Sequence, residues 1–236
     1  MKKNKKVVKR TKVETEVQNQ DQAQSQPKRR AGNFHIEFKN QQQKDAWKTI
    51  EKNEITFLIG PAGSAKSFIS SAYACSSMLT KRQKKILLTR PIVESSHGLG
   101  YLPGTFEEKV NPYITPIYDA LDELVGPVGF QRELINKCIQ IRPLNYLRGC
   151  NFNDAVCLSD ESQNMNLKEL LLYMTRLGRN SKMIINGDPN QCDIKDSGLL
   201  HVVNKLEGME GIGVVRFDAS AIVRNPLISQ ILDRLK

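Results

Sequence analysis

From about Phe34 to the C-terminus, short apolar runs alternate with longer amphipathic stretches. The runs at 54–59, 84–89, 137–141, 155–159, 182–186 and 213–217 have the length and apolar density of buried strands. Between and beyond them, the spacing predicts helices over 66–80, 106–124, 167–177, 198–206 and 226–236. The helix at 167–177 carries the strongest signature. Leu167, Leu170, Leu171, Met174 and Leu177 recur at helical spacing, Asn166 with Glu169 forms a capping pair, and Gly178 supplies a stop. Strands separated by helices predict an α/β domain whose sheet is mostly parallel and covered on both faces.

Residues 1–33 break this pattern. Residues 1–12 are dense in Lys and Arg, residues 17–26 in Gln, and large apolar side chains are scarce, so this segment is expected to be a disordered tail before one domain at 34–236. The charge is unevenly placed: residues 1–30 hold ten Lys/Arg against three Asp/Glu, out of a chain total of 35 against 25. Most of the net +10 therefore belongs to the tail. A solvated solubility tail and a nonspecific contact to nucleic-acid phosphates both fit that composition.

The remaining composition excludes classes of protein. No apolar run approaches the roughly 20 residues of a membrane helix, and no apolar segment follows the basic N-terminus as in a secretory signal. The five cysteines are odd in number and form no C-x-x-C pair. That argues against a zinc site or a disulfide framework and fits a reducing, cytoplasmic setting.

The chemistry concentrates at strand ends. Gly60-Pro61-Ala62-Gly63-Ser64-Ala65-Lys66-Ser67 follows an apolar strand and opens a helix, the context of a phosphate-binding P-loop. Glycines let backbone N–H groups curl around an anion, and the helix N-terminus adds a positive dipole end. Lys66 would reach the β- and γ-phosphates of a nucleotide, and Ser67 would offer a hydroxyl to Mg²⁺. Ala65 stands where the motif usually has glycine, a substitution that matters if the loop needs a positive φ there.

The strand at 155–159 ends in Asp160 and Glu161. Asp160 would hold Mg²⁺, directly or through water, and Glu161 would orient and deprotonate an attacking water. Gly187-Asp188-Pro189-Asn190-Gln191 follows the next strand. It is either a plain turn or the seat of a polar side chain that senses the γ-phosphate, with Gln191 favoured over Asp188.

Residues 160–163 and 187–191 resemble two consecutive motifs of superfamily-1 helicases. More extensively, the chain resembles the PhoH family of phosphate-starvation-induced ATPases, in its short phage-type form. The matching stretches run in order: 60–67, 88–94, 99–104, 108–113, 116–121, 143–149, 160–164, 175–178 and 223–227. The resemblance implies a single RecA-like P-loop NTPase domain using ATP and Mg²⁺. It places Gln43 where helicase-like members read adenine, within a run of Gln that blurs the register. Thr89-Arg90-Pro91 corresponds to a stretch that touches nucleic-acid backbone in helicases, or is a strand exit turn. Arg224 corresponds to an arginine finger, or is structural. Ser67 replaces the more common Thr and keeps the hydroxyl.

The segment after Asn190 is about forty-five residues, too short for a second RecA-like domain. One side of the nucleotide would then be closed by another subunit, and the resemblance points to a homo-oligomeric ring, a hexamer, with Arg224 supplied by the neighbour. The expected activity is Mg²⁺-dependent ATP hydrolysis coupled to RNA or single-stranded DNA. The alternatives are a nucleotide-gated assembly protein with little turnover and a basic-armed nucleic-acid binder with a vestigial ATP site.

Overall fold

Six short strands pair side by side, all parallel, in the order β3-β2-β4-β5-β1-β6. They are β1 (Ile55–Ile59), β2 (Lys85–Thr89), β3 (Ile139–Ile141), β4 (Ala155–Ser159), β5 (Lys182–Gly187) and β6 (Ile212–Arg216). This computed structural model describes residues 36–91, 115–120, 122–123, 137–222 and 234. The tail, all but residue 234 of the helix expected at 226–236, most of that at 106–124, and Arg224 lie outside the described residues. Residues 115–120 are helical, within the span expected. No helix among the described residues is long and apolar enough to cross a membrane.

The two-residue period of a strand sends alternate side chains to opposite faces, and each face has its own core. On one face, Leu58, Ile86, Leu88, Val156, Leu158 and Ile184 pack with Ile69 and Tyr73 of α2 (Lys66–Leu79) and with Ala46 and Ile50 of α1 (Gln41–Lys52). On the other, Phe57, Ile59, Leu87, Cys157, Met183 and Ile185 meet Leu170 and Tyr173 of α3 (Leu167–Met174) and Leu199, Val202 and Val203 of α4 (Leu199–Leu206). Burial within these cores pushes the thiols of Cys75 and Cys157 up to about 12.

Helix α1 has no counterpart among the predicted elements. Asn40 caps it, its side chain accepting from Gln43 N–H at 2.9 Å, and Gln43, Ala46 and Ile50 form the buried face. With Gln at the first of these positions and Ala at the second, the apolar signal of this helix is weak. Its first turn is tied to the segment after β6, through Gln42 Nε2 to Asp218 Oδ1 at 2.9 Å and Asn40 Nδ2 to the Ala221 carbonyl at 3.4 Å.

Helix α3 carries the expected capping box, with Glu169 N–H donating to Asn166 Oδ1 at 3.1 Å and Asn166 N–H to Glu169 Oε2 at 2.9 Å. Its buried face differs from the expected one. Leu170 is 0% exposed, whereas Leu167 and Leu171 are 40% and 48% exposed. Tyr173, fully buried, takes the place assigned to them. A helix of eight residues turns a narrow stripe toward the sheet, and a leucine at i, i+4 need not lie on it.

These positions separate two outcomes. Leu170→Ala is expected to destabilise the fold by about 2–5 kcal/mol, and Leu171→Ala to change it by less than about 1 kcal/mol. Urea unfolding followed by circular dichroism measures both.

Candidate active site

Parallel pairing brings the carboxyl ends of the strands to one edge, where ligands of open α/β sheets bind. The P-loop leaves β1 there. Gly60 has φ 154°, and a Cβ on it would lie 2.6 Å from Phe217 Cβ, so only glycine lets β1 and the exit of β6 approach this closely. Gly63 follows at φ 85°. Ala65 then takes φ 66° and ψ 22° at the start of α2, the left-handed conformation. The alanine that replaces the usual glycine is thus at a position where a Cβ costs roughly 1–2 kcal/mol.

The loop is braced from inside and outside. Lys66, 9% exposed, donates from Nζ to the Gly60 carbonyl at 2.6 Å and the Pro61 carbonyl at 2.9 Å. Ser64 Oγ donates to the Pro61 carbonyl at 2.8 Å. From the end of β5, the buried Asp188 carboxylate accepts from Ala62 N–H at 3.0 Å and from Asn190 N–H at 3.0 Å. Asp188 is therefore committed to backbone. Gln191 is exposed and lines the cleft.

Ser67 and Asp160, each assigned to Mg²⁺ from its own motif, are brought into contact by the fold. Ser67 Oγ lies 3.1 and 3.2 Å from the two Asp160 carboxylate oxygens. Behind them is a cavity of about 50 Å³ also lined by Ser70, Thr89 and Asn186. Asn186 Nδ2 donates to Ser70 Oγ at 2.9 Å, while its buried Oδ1 has no partner. A hydroxyl, a carboxylate and an orphaned amide oxygen are all hard oxygen donors, a set that fits a hydrated Mg²⁺.

Glu161 also adopts a left-handed conformation, φ 54° and ψ 35°, which a non-glycine residue holds only when its surroundings compel it. Those surroundings are Arg90 and Gln163. Arg90 Nη2 lies 3.6 Å from Glu161 Oε1, with both side chains partly exposed. Gln163, 1% exposed, donates from Nε2 to Glu161 Oε2 at 2.6 Å and to the Gln191 carbonyl at 3.1 Å. Its Oε1 accepts from Asp188 N–H at 2.9 Å. One buried amide thereby joins three functional positions. Sequence reasoning gave Gln163 no role; it is one of three amides, with Asn164 and Asn166, between the acidic pair and an apolar helix.

The structure thus gathers Ala62, Lys66, Ser67, Asp160, Glu161 and Gln191 around one open cleft of about 260 Å³. Gln43 does not line it. It is buried in the first turn of α1, where its Oε1 accepts from Lys39 N–H at 2.9 Å.

Residues 35–236 match the family model described as PhoH-like protein. The chain belongs to the PhoH-like family. It is 38% identical over 201 residues to a PhoH-like protein of Bacillus subtilis, covering 84% of this chain and 63% of that relative. It is 37% identical over 200 residues to Protein PhoH of Escherichia coli K12, covering 82% and 56% respectively. This PhoH-like chain therefore spans less than two thirds of these relatives' lengths. Among solved structures, the large terminase of a thermophilic bacteriophage in complex with ADP superposes with a TM-score of 0.56 at 10% identity, over 83% of this chain and 50% of the terminase. At that identity the likeness shows the P-loop fold alone.

The strained loop position yields a direct test. Ala65→Gly removes the left-handed penalty but adds freedom to the unfolded chain, so a net stabilisation of about 0.5–1 kcal/mol is expected. A β-branched Val at the same site would instead destabilise, and both shifts are read by chemical denaturation.

Proposed function

We propose that this chain binds ATP with Mg²⁺ and hydrolyses it, as a cytoplasmic ATPase whose cycle is coupled to RNA or single-stranded DNA. The observation that carries the reading is the meeting of Lys66, the Ser67–Asp160 pair and a strained Glu161 at one cleft. The N–H groups of the loop and of the first turn of α2 would take the phosphates, with the helix dipole favouring their charge. Lys66, now on loop carbonyls, would turn its ammonium to the β- and γ-phosphates.

Ser67 and Asp160 would hold Mg²⁺, which would supply positive charge to offset the charge that develops on phosphoryl transfer. Gln191 would orient the water. Glu161 would take a proton from it as its oxygen bonds to the γ-phosphorus and the bridging P–O bond to ADP breaks, leaving ADP and inorganic phosphate. Gln163 would keep the Glu161 carboxylate aimed. An open cleft also fits a homo-oligomeric ring, hexameric by family likeness, in which Arg224 of a neighbour completes the charge stabilisation.

A nucleotide-gated assembly protein with little turnover is the second reading. Ala65 at φ 66° and the hold of Arg90 on Glu161 favour it.

Phosphate release separates the two. Turnover should require Mg²⁺, vanish with EDTA, and fall to background in Lys66→Ala. Glu161→Gln should lose about 10²–10⁴-fold in kcat while still binding ATP. ATP bound tightly by the wild type, with no phosphate released under any condition including added RNA or DNA, would reject hydrolysis and leave the second reading.

A further inference from the structure

The stretch 143–149 between β3 and β4 has no task in nucleotide chemistry. Its leucines are explained by packing: Leu144 and Leu147 are buried in the core beneath α3. Its other side chains are not. Asn145, Tyr146 and Arg148 are exposed, and Tyr146 is 74% exposed with no hydrogen bond from its phenol to any described residue. The backbone beneath is ordered, a 3₁₀ turn at Leu144–Tyr146 with Tyr146 N–H on the Pro143 carbonyl at 3.0 Å and Leu147 N–H on the Leu144 carbonyl at 3.2 Å. An aromatic ring is thus presented to solvent from a rigid frame anchored in the core.

Its chain neighbours Asn145 and Arg148 line an open cleft of about 450 Å³ together with Asn166, Lys168, Glu169 and Leu172. Neither Arg148 nor Lys168 forms an ion pair with a described residue. The lining carries these two cations against one carboxylate, that of Glu169, which is held by Asn166 N–H in the capping box at 2.9 Å, so the cleft keeps an excess of positive charge. Arg142 adds a further cation at the carboxyl end of β3, where its carbonyl accepts from Thr89 Oγ1 at 3.1 Å, while Arg90 after β2 is paired with Glu161.

We propose that Tyr146 and this cleft form a binding site for a single-stranded polynucleotide. Tyr146 stacks on one base, Arg148 and Lys168 meet the phosphates, and Leu172 offers apolar contact. A free aromatic face next to unpaired cations suits unstacked bases, since a duplex hides the faces that stacking needs. The segment 160–166 lines the nucleotide cleft at Asp160 and Glu161 and this cleft at Asn166, with the buried turn Ser162–Asn164 between. The inference deepens the nucleotide reading, on which this coupling rests, though the binding itself does not.

The test is fluorescence anisotropy of labelled oligo(U) and oligo(dT), each of about 20 nucleotides, with the full chain and no nucleotide. About 0.3 M salt suppresses the contribution of the basic N-terminal residues. Tyr146→Ala should weaken binding about five-fold or more, while Tyr146→Phe, which keeps the ring, stays within about two-fold. Arg148→Ala should lower the slope of log affinity against log salt by about one.

The polymer that loses affinity names RNA or DNA as the ligand. Equal binding by wild type and Tyr146→Ala, or no binding to either polymer, overturns the proposal. So does a loss in Tyr146→Ala accompanied by a change in oligomeric mass, which would make Tyr146 a contact between protein chains. Tyr146-dependent binding by a chain that releases no phosphate would reject hydrolysis and leave this site standing.

Discussion

Parallel hydrogen bonding of β1 between β5 and β6 is the constraint on which the rest depends. Because the three run the same way, Gly60, Asp188 and Phe217 leave the sheet at one edge and within reach of one another. The bond from Ala62 N–H to the Asp188 carboxylate then becomes possible, as does the close pass of Gly60 by Phe217. On the other side of β5, β4 delivers Asp160 to Ser67. Reversing any of these strands would scatter the groups to opposite ends of the sheet.

Two residues at this edge, Ala65 and Glu161, are held in the left-handed region, at a cost of about 1–2 kcal/mol each. What holds them is a small set of buried polar contacts. Gln163 joins Glu161 to the segment that follows β5, and Asp188 carries the connection on to the P-loop. Buried amides with all their groups satisfied contribute about 1 kcal/mol per bond and cost more when left half-satisfied. Strain and network therefore come as a pair, and the loop, the acidic strand end and the 3₁₀ turn at Pro189–Gln191 are joined by one set of hydrogen bonds.

Much of the fold was legible because strand runs and the α3 capping box are local signals. All six strands occur within a residue or two of their expected limits. Helix α1 was not legible because its buried face is Gln43, Ala46 and Ile50, which a count of large apolar residues passes over. Leu167 and Leu171 misled for the converse reason: periodicity shows a stripe but not how wide a stripe the sheet can cover. At the site, residue types implied Lys66, Ser67, Asp160 and Glu161. The Gln163 side chain depends on contacts to residues up to 28 positions away, which no local pattern reveals. The scarcity of aromatic residues, 6% of the chain, likewise gave no hint that Tyr146 would stand exposed.

The buried thiols of Cys75 and Cys157 have a practical consequence. With their thiolates suppressed, both will ignore an alkylating reagent, while Cys138, Cys150 and Cys192 are only partly covered. Cys192 follows Gln191 directly, and its Sγ donates to the Gln163 carbonyl at 3.2 Å. With Cys138 and Cys150 replaced, a dye on this native side chain would sit on the segment that Gln163 fastens. Its emission would follow movements of that segment in real time, without a cysteine having to be introduced.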